Sequence, residues 1–172
     1  MNFNRFILLF AIISTAIYFL LQPYTIDQKK LKKIPLLEFS NFETFEFNEQ
    51  ELKMLLVGDH AMRFNDYLTV DEFTVYREFN ESVETLSATR GHYKNNLMTL
   101  DKSVKYFSER NDLMLESEKA LLHLEHKTVD IRVPFVMTQK ESKVTGSSLF
   151  LNQNSGTIIA KDVKASLDLE SK

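Results

Sequence analysis

Turn-forming clusters recur along most of this chain at a nearly constant interval. They are Asn48-Glu49-Gln50, Asn65-Asp66, Asn80-Glu81, Asn95-Asn96, Asn111-Asp112, Lys127-Thr128, Gln139-Lys140 and the run 152–156, spaced 12 to 17 residues apart. Asn and Asp suit such joints because they tolerate the left-handed backbone region and close Asx-turns with their own side chains. Between the joints, apolar residues tend to alternate with polar ones. Leu52, Met54 and Leu56 share one strand face, as do Phe73 and Val75, Ile131, Val133 and Phe135, and Leu149 and Leu151. Each segment is long enough for one bent strand or two short ones, so the pattern predicts an antiparallel all-β meander.

Residues 113–126, LMLESEKALLHLEH, are the exception in composition. They are rich in helix formers, and Ala120, Leu121 and Leu124 could share a helical face. The even pacing on both sides favours a strand here too. A faint internal echo links Gly91, followed by Met98 and Leu100, with Gly146, followed by Leu149 and Leu151. Glycine at the head of such a unit suits a bulge or a close backbone approach.

The first 33 residues obey different rules. Residues 6–21, FILLFAIISTAIYFLL, carry no charge. With their flanks they make about 20 helical residues, enough at 1.5 Å each to cross a ~30 Å hydrocarbon core. Tyr18 and Tyr24 fall where an aromatic belt would lie, and Pro23 marks a stop. A cleaved signal peptide needs a small-x-small site, which the bulky run Tyr18-Phe19-Leu20-Leu21-Gln22 does not offer. The expected organisation is a short N-terminus (1–5), a transmembrane anchor (6–24), a basic linker (25–35) and a β domain (36–172). Charge divides the same way, with five basic and one acidic residue in 1–33 against 16 and 23 in the remainder. Taken alone, Lys29, Lys30, Lys32 and Lys33 outweigh Arg5 and would hold the β domain in the cytoplasm. They also suit anionic lipid head groups beside the anchor.

Reactive chemistry is thinly represented. Without Cys there is no disulfide, thiolate metal site or Cys nucleophile. His123 and His126, three apart, point to opposite faces of a strand. The nearest approaches to a triad are Gly146-Ser147-Ser148 and Asp59-His60, and neither supplies a nucleophile elbow. Gly58, Gly91, Gly146 and Gly156 are too scattered for a phosphate loop. No catalytic residue, metal or cofactor is therefore expected, and the acidic domain disfavours nucleic acid as a partner. Aromatic residues are abundant instead. Ten phenylalanines follow the anchor, with Phe39, Phe42, Phe45 and Phe47 inside nine residues. A filled aromatic core and an open apolar trough for acyl chains both fit that inventory, since each buried methylene contributes about 0.8 kcal/mol.

Four stretches follow one another in a familiar order: NEQELKMLLVGDHAM (48–62), LSATRGHY (86–93), LDKSVKY (100–106) and VTGSSLFLNQNSGTIIAKDVKASL (144–167). Behind a short anchor and a linker, they resemble the LptC family, the bitopic inner-membrane component of bacterial lipopolysaccharide export. The resemblance implies a twisted, open antiparallel β-jellyroll preceded by one transmembrane helix, with the domain in the periplasm. It implies no enzyme, and a cargo of lipopolysaccharide received from an ABC transporter of LptB, LptF and LptG and passed to LptA. It further implies an acyl-binding interior, which the alternation assigns to Leu56, Phe73, Val75, Leu149 and Leu151. The family's functional glycine, in a hairpin near the end, falls on Gly146, where Arg is expected to disturb docking or lipid passage. The alternative is a membrane-anchored periplasmic β adaptor that binds other envelope proteins and no lipid.

Overall fold

The computed structural model describes residues 34–48, 51–79 and 82–166. No helix among them is long and apolar enough to cross a membrane, and the expected anchor and lysine cluster lie outside them. The described chain is built of strands. They are β1 (Leu37–Asn48), β2 (Glu51–Arg63), β3 (Leu68–Phe79), β4 (Ser82–Lys94), β5 (Leu97–Ser108) and β6 (Leu113–His123). Six short ones follow: β7 (Thr128–Ile131), β8 (Phe135–Gln139), β9 (Ser142–Gly146), β10 (Ser148–Asn152), β11 (Thr157–Lys161) and β12 (Lys164–Ser166). A single 3-10 turn, Glu109–Asn111, joins β5 to β6.

All twelve strands belong to one open antiparallel sheet, an arrangement consistent with a jellyroll. The turn clusters fall between strands as expected. Asn95, Asn96, Asp112, Lys127 and Lys140 there adopt positive φ of 47–61°. Residues 113–123 form a strand despite their helix propensity, because both flanks of β6 find cross-strand partners.

The short strands are halves of longer bent ones. β6 pairs through Leu113–Ser117 with β8 and through Leu121–His123 with β7. The break between β7 and β8 falls at Arg132, Val133 and Pro134, and proline has no N–H to give a ladder. β9 and β10 are likewise separated only by Ser147, and β11 and β12 by Asp162 and Val163. The long strands bend at the matching place. Asn41 in β1, Glu72 in β3 and Lys102-Ser103 in β5 have positive φ and drop out of the pairing register. In β5 the ladder also shifts register on both sides, a bulge of the kind that sharpens bend and twist. Together these kinks draw one fold line across the sheet.

Folding along that line explains the core. Among the described residues there is neither a second sheet nor a helix to cover this one, yet Leu100 is 0% and Ile131 1% exposed. Only the other half of the same sheet can bury them. The buried residues Val70, Phe73, Ala88, Leu100, Ile131 and Phe135 all lie on rows flanking the bend. Two details depart from simple alternation. The positive-φ kink at Glu72 resets parity without shifting the ladder, so Val70 and Phe73, three apart, share the concave face. A further irregularity sets Leu52 opposite Phe47 while Met54 faces Glu46, which takes Leu52 off the row of Met54 and Leu56.

The convex face is polar beside the bend. His60, Asp71, Arg90, Asp101 and Lys119 stand directly opposite one another on β2 to β6. Arg90 Nε donates to Asp71 at 3.2 Å, Lys119 lies 3.0 Å from Asp101, and His60 lies 2.8 Å from Glu38. Such exposed pairs contribute at most about 1 kcal/mol each. Their alternation of sign nonetheless marks this face as the one turned to water.

Candidate functional site

The concave face is a trough with a packed floor and open walls. Phe73, 3% exposed, and Leu149, 6% exposed, belong to the floor with Phe135, Ile131 and Leu100. On one wall a single row crosses the sheet through Leu56, Val75, Leu86, Tyr106, Leu115 and Met137, each opposite the next. The other wall carries Leu68, Tyr93, Met98, Leu122, Val129 and Leu151 in the same manner. Both rows are half-buried, and apart from Tyr93, Tyr106 and Leu151 their side chains pack against the floor.

The five residues expected from alternation thus share the concave face but occupy two levels. Leu56 and Val75 are direct cross-strand neighbours on one wall and Leu151 is on the other, whereas Phe73 and Leu149 are held in the floor. Leu86, Leu115, Met98 and Leu122 escaped the sequence reading. Their parity is set on the far side of a bulge that no turn residue announces.

Gly146 ends β9 at the bend, directly opposite Phe135, and is not part of a hairpin turn. A Cβ there would stand 2.6 Å from the Phe135 ring and 2.8 Å from the Lys161 carbonyl oxygen. It is therefore a site of close approach between the floor and the outermost strand, and its φ is not left-handed.

Beyond the Leu56–Met137 row the same wall turns polar. Arg77 ion-pairs with the Glu84 carboxylate, which is 16% exposed, and Ser108 next to Glu84 is buried. Burial, reinforced by the negative charge of Glu84 and its hydrogen bond, holds the Tyr106 phenol above its ordinary pKa of 10.0. The 3-10 turn covers this end of the wall. It is pinned by Val83 N donating to Glu109 Oε2 at 3.2 Å and by Gln139 Nε2 donating to Asn111 O at 3.1 Å. No group of three His, Asp or Glu among the described residues could hold a metal.

One open β-sheet folded on itself around a partly open apolar trough defines the class of this molecule. Within that class, the chain belongs to the LptC family: the model of LptC, lipopolysaccharide-assembly, LptC-related, matches residues 6–168. Membership gives it a part in lipopolysaccharide transport, within a family of inner-membrane-anchored envelope components that transport or bind and are not known as enzymes. No curated protein matches the chain.

Proposed function

We propose that the trough holds the acyl chains of lipopolysaccharide and passes the lipid from an ABC transporter of LptB, LptF and LptG to the periplasmic bridge protein LptA. The observation that carries this reading is the pair of half-buried apolar rows above a packed floor. Leu56, Val75 and Leu151 contact the chains, while Phe73 and Leu149 keep the trough open to a fixed depth by filling its base. Each methylene transferred from water gains about 0.8 kcal/mol, so affinity needs apolar lining and width and no charge recognition. The chain carries out no reaction, and ATP hydrolysis in the transporter drives the movement.

The sheet edges serve hand-over. β1 on one side, and β11 with β12 on the other, have one side unpaired, which is a template for strand addition. Charge gives the edges a direction: β1 carries Glu38, Glu43 and Glu46 and no basic residue, whereas β11 and β12 carry Lys161 and Lys164. Gly146 acts in docking by letting β11 lie close to the floor. Residues 6–24 anchor the chain once in the inner membrane with the domain in the periplasm. Lys29 to Lys33 then meet anionic head groups on that side, against the usual charge rule.

Photocrosslinkers at Val75 and Leu151 in intact cells test the reading, with the convex-face Lys105 as control. Lipopolysaccharide adducts at the first two and none at the third are expected. Adducts with protein alone at all three positions would favour the anchored adaptor and sink the lipid path.

A further inference from the structure

The polar end of the Leu56–Met137 wall contains a cup of about 280 Å³ lined by Ser82, Glu84, Ser108, Arg110 and Asn111. Its chemistry is narrow. Glu84 is already ion-paired with Arg77, and no histidine lines the cup, so it has neither a metal-ligand set nor a base for either serine. Arg77 and Glu84 cancel within their ion pair, and Glu109, whose carboxylate accepts from Val83 N beside the cup, offsets Arg110, which leaves no net attraction for an ion. What remains is a balanced set of hydrogen-bonding groups. The carboxylate accepts, the guanidinium donates, and the two hydroxyls and the amide do both. The Ser82 hydroxyl is buried and has no hydrogen-bond partner among the described residues, a cost relieved by a ligand that supplies one. The turn that carries Arg110 and Asn111 is held in place from β4 and β8, so the cup is formed in advance.

We propose that this cup binds one sugar ring through its hydroxyls. A polyol presents donors and acceptors together, as the lining does, and the volume accommodates one ring. Tyr106 and Leu86, one row deeper on the wall, supply an apolar surface beside it. The inference rests on the lipid path above and adds an orientation to it. Acyl chains lie toward the bend, and the first sugar of the glycolipid sits under the Glu109–Asn111 turn. A free saccharide would meet the same groups.

Two measurements on the full-length chain separate these sources. In nanodiscs, N-acetylglucosamine is expected to show saturation transfer from the protein, reduced at least threefold by Arg110→Ala and by Asn111→Ala, both exposed and outside the core. In cells, a photocrosslinker at Arg110 is expected to capture lipopolysaccharide as one at Val75 does. Sugar binding without an Arg110 adduct assigns the cup to free saccharide. Adducts at Val75, with neither an Arg110 adduct nor saturation transfer, leave the lipid path standing and overturn the sugar site. Loss of the Val75 adduct instead removes the lipid path itself.

Discussion

Three phenylalanines lie over three glycines of neighbouring strands: Phe42 over Gly58, Phe73 over Gly91 and Phe135 over Gly146. Each ring fills the space that a Cβ would take, and the glycine loses its exposed backbone to the ring. The three sites are not equally strict. At Gly58 a methyl group meets first the far end of the Phe42 ring, on an edge strand where that side chain can turn away. At Gly146 it meets a ring that is 2% exposed and a backbone carbonyl, neither free to move. Gly146→Ala should therefore cost about 1–3 kcal/mol as overpacking, and Gly58→Ala clearly less, when the two are compared by thermal unfolding. Tyr106 gives a residue-scale prediction in pH. Its folded-state pKa is raised, so its contribution is complete below pH 10 and lost as pH climbs from there through the folded value. Tyr106→Phe should remove that part of the alkaline loss, read as the difference between the two proteins' stability curves above pH 10, where the lysines are common to both.

At the scale of strands, the hairpin joints were legible because Asn and Asp cluster there, and at Asn95, Asn96 and Asp112 they carry the positive φ. The bends were not. Glu72, Lys102 and Ser103 have no intrinsic preference for φ of 45–65°, and they adopt it because both halves of each strand must turn the same face inward. The weak Gly91–Gly146 echo is explained by the same rule, since each glycine accepts a ring near the bend. The edge strands yield a further prediction. Lys161 and Lys164 are exposed, so reversing both to Glu should leave unfolding unchanged within about 0.5 kcal/mol. On the reading that LptA joins the β11–β12 edge, the same change should slow its capture in a pull-down or crosslinking assay, most strongly at low salt. Equal capture at all salt concentrations would remove charge from the account of edge docking.

At the scale of the whole β domain, a sheet that serves as both of its own layers leaves its walls half-buried, and the proposed acyl ligand would complete their burial. Lipopolysaccharide should raise the unfolding temperature of the full-length chain in nanodiscs. At free lipid near one hundred times Kd the gain is about 2.7 kcal/mol. Val75→Asp and Leu151→Asp should each abolish most of this lipid-dependent rise, whatever they do to the lipid-free baseline. A rise that survives both would place the lipid elsewhere on the protein. The concave residues Leu56, Phe73, Val75, Leu149 and Leu151 were readable within single strand halves, where strict alternation holds. Division of these five into wall and floor was not readable, because distance from the bend, and no local pattern, sets how deeply each is covered. The polar cup was equally hidden. It joins Ser82 and Glu84 of β4 to Ser108, Arg110 and Asn111 across a hairpin.

Sequence alone determined the strands, their turns and the apolar character of one face, since all three follow from backbone preferences and period-two alternation among near neighbours. Tertiary structure decided where the sheet folds, which apolar residues stay open above the floor and which polar groups gather at its rim. Those depend on pairing register and parity across bulges, and a strand acquires both only from the strands beside it.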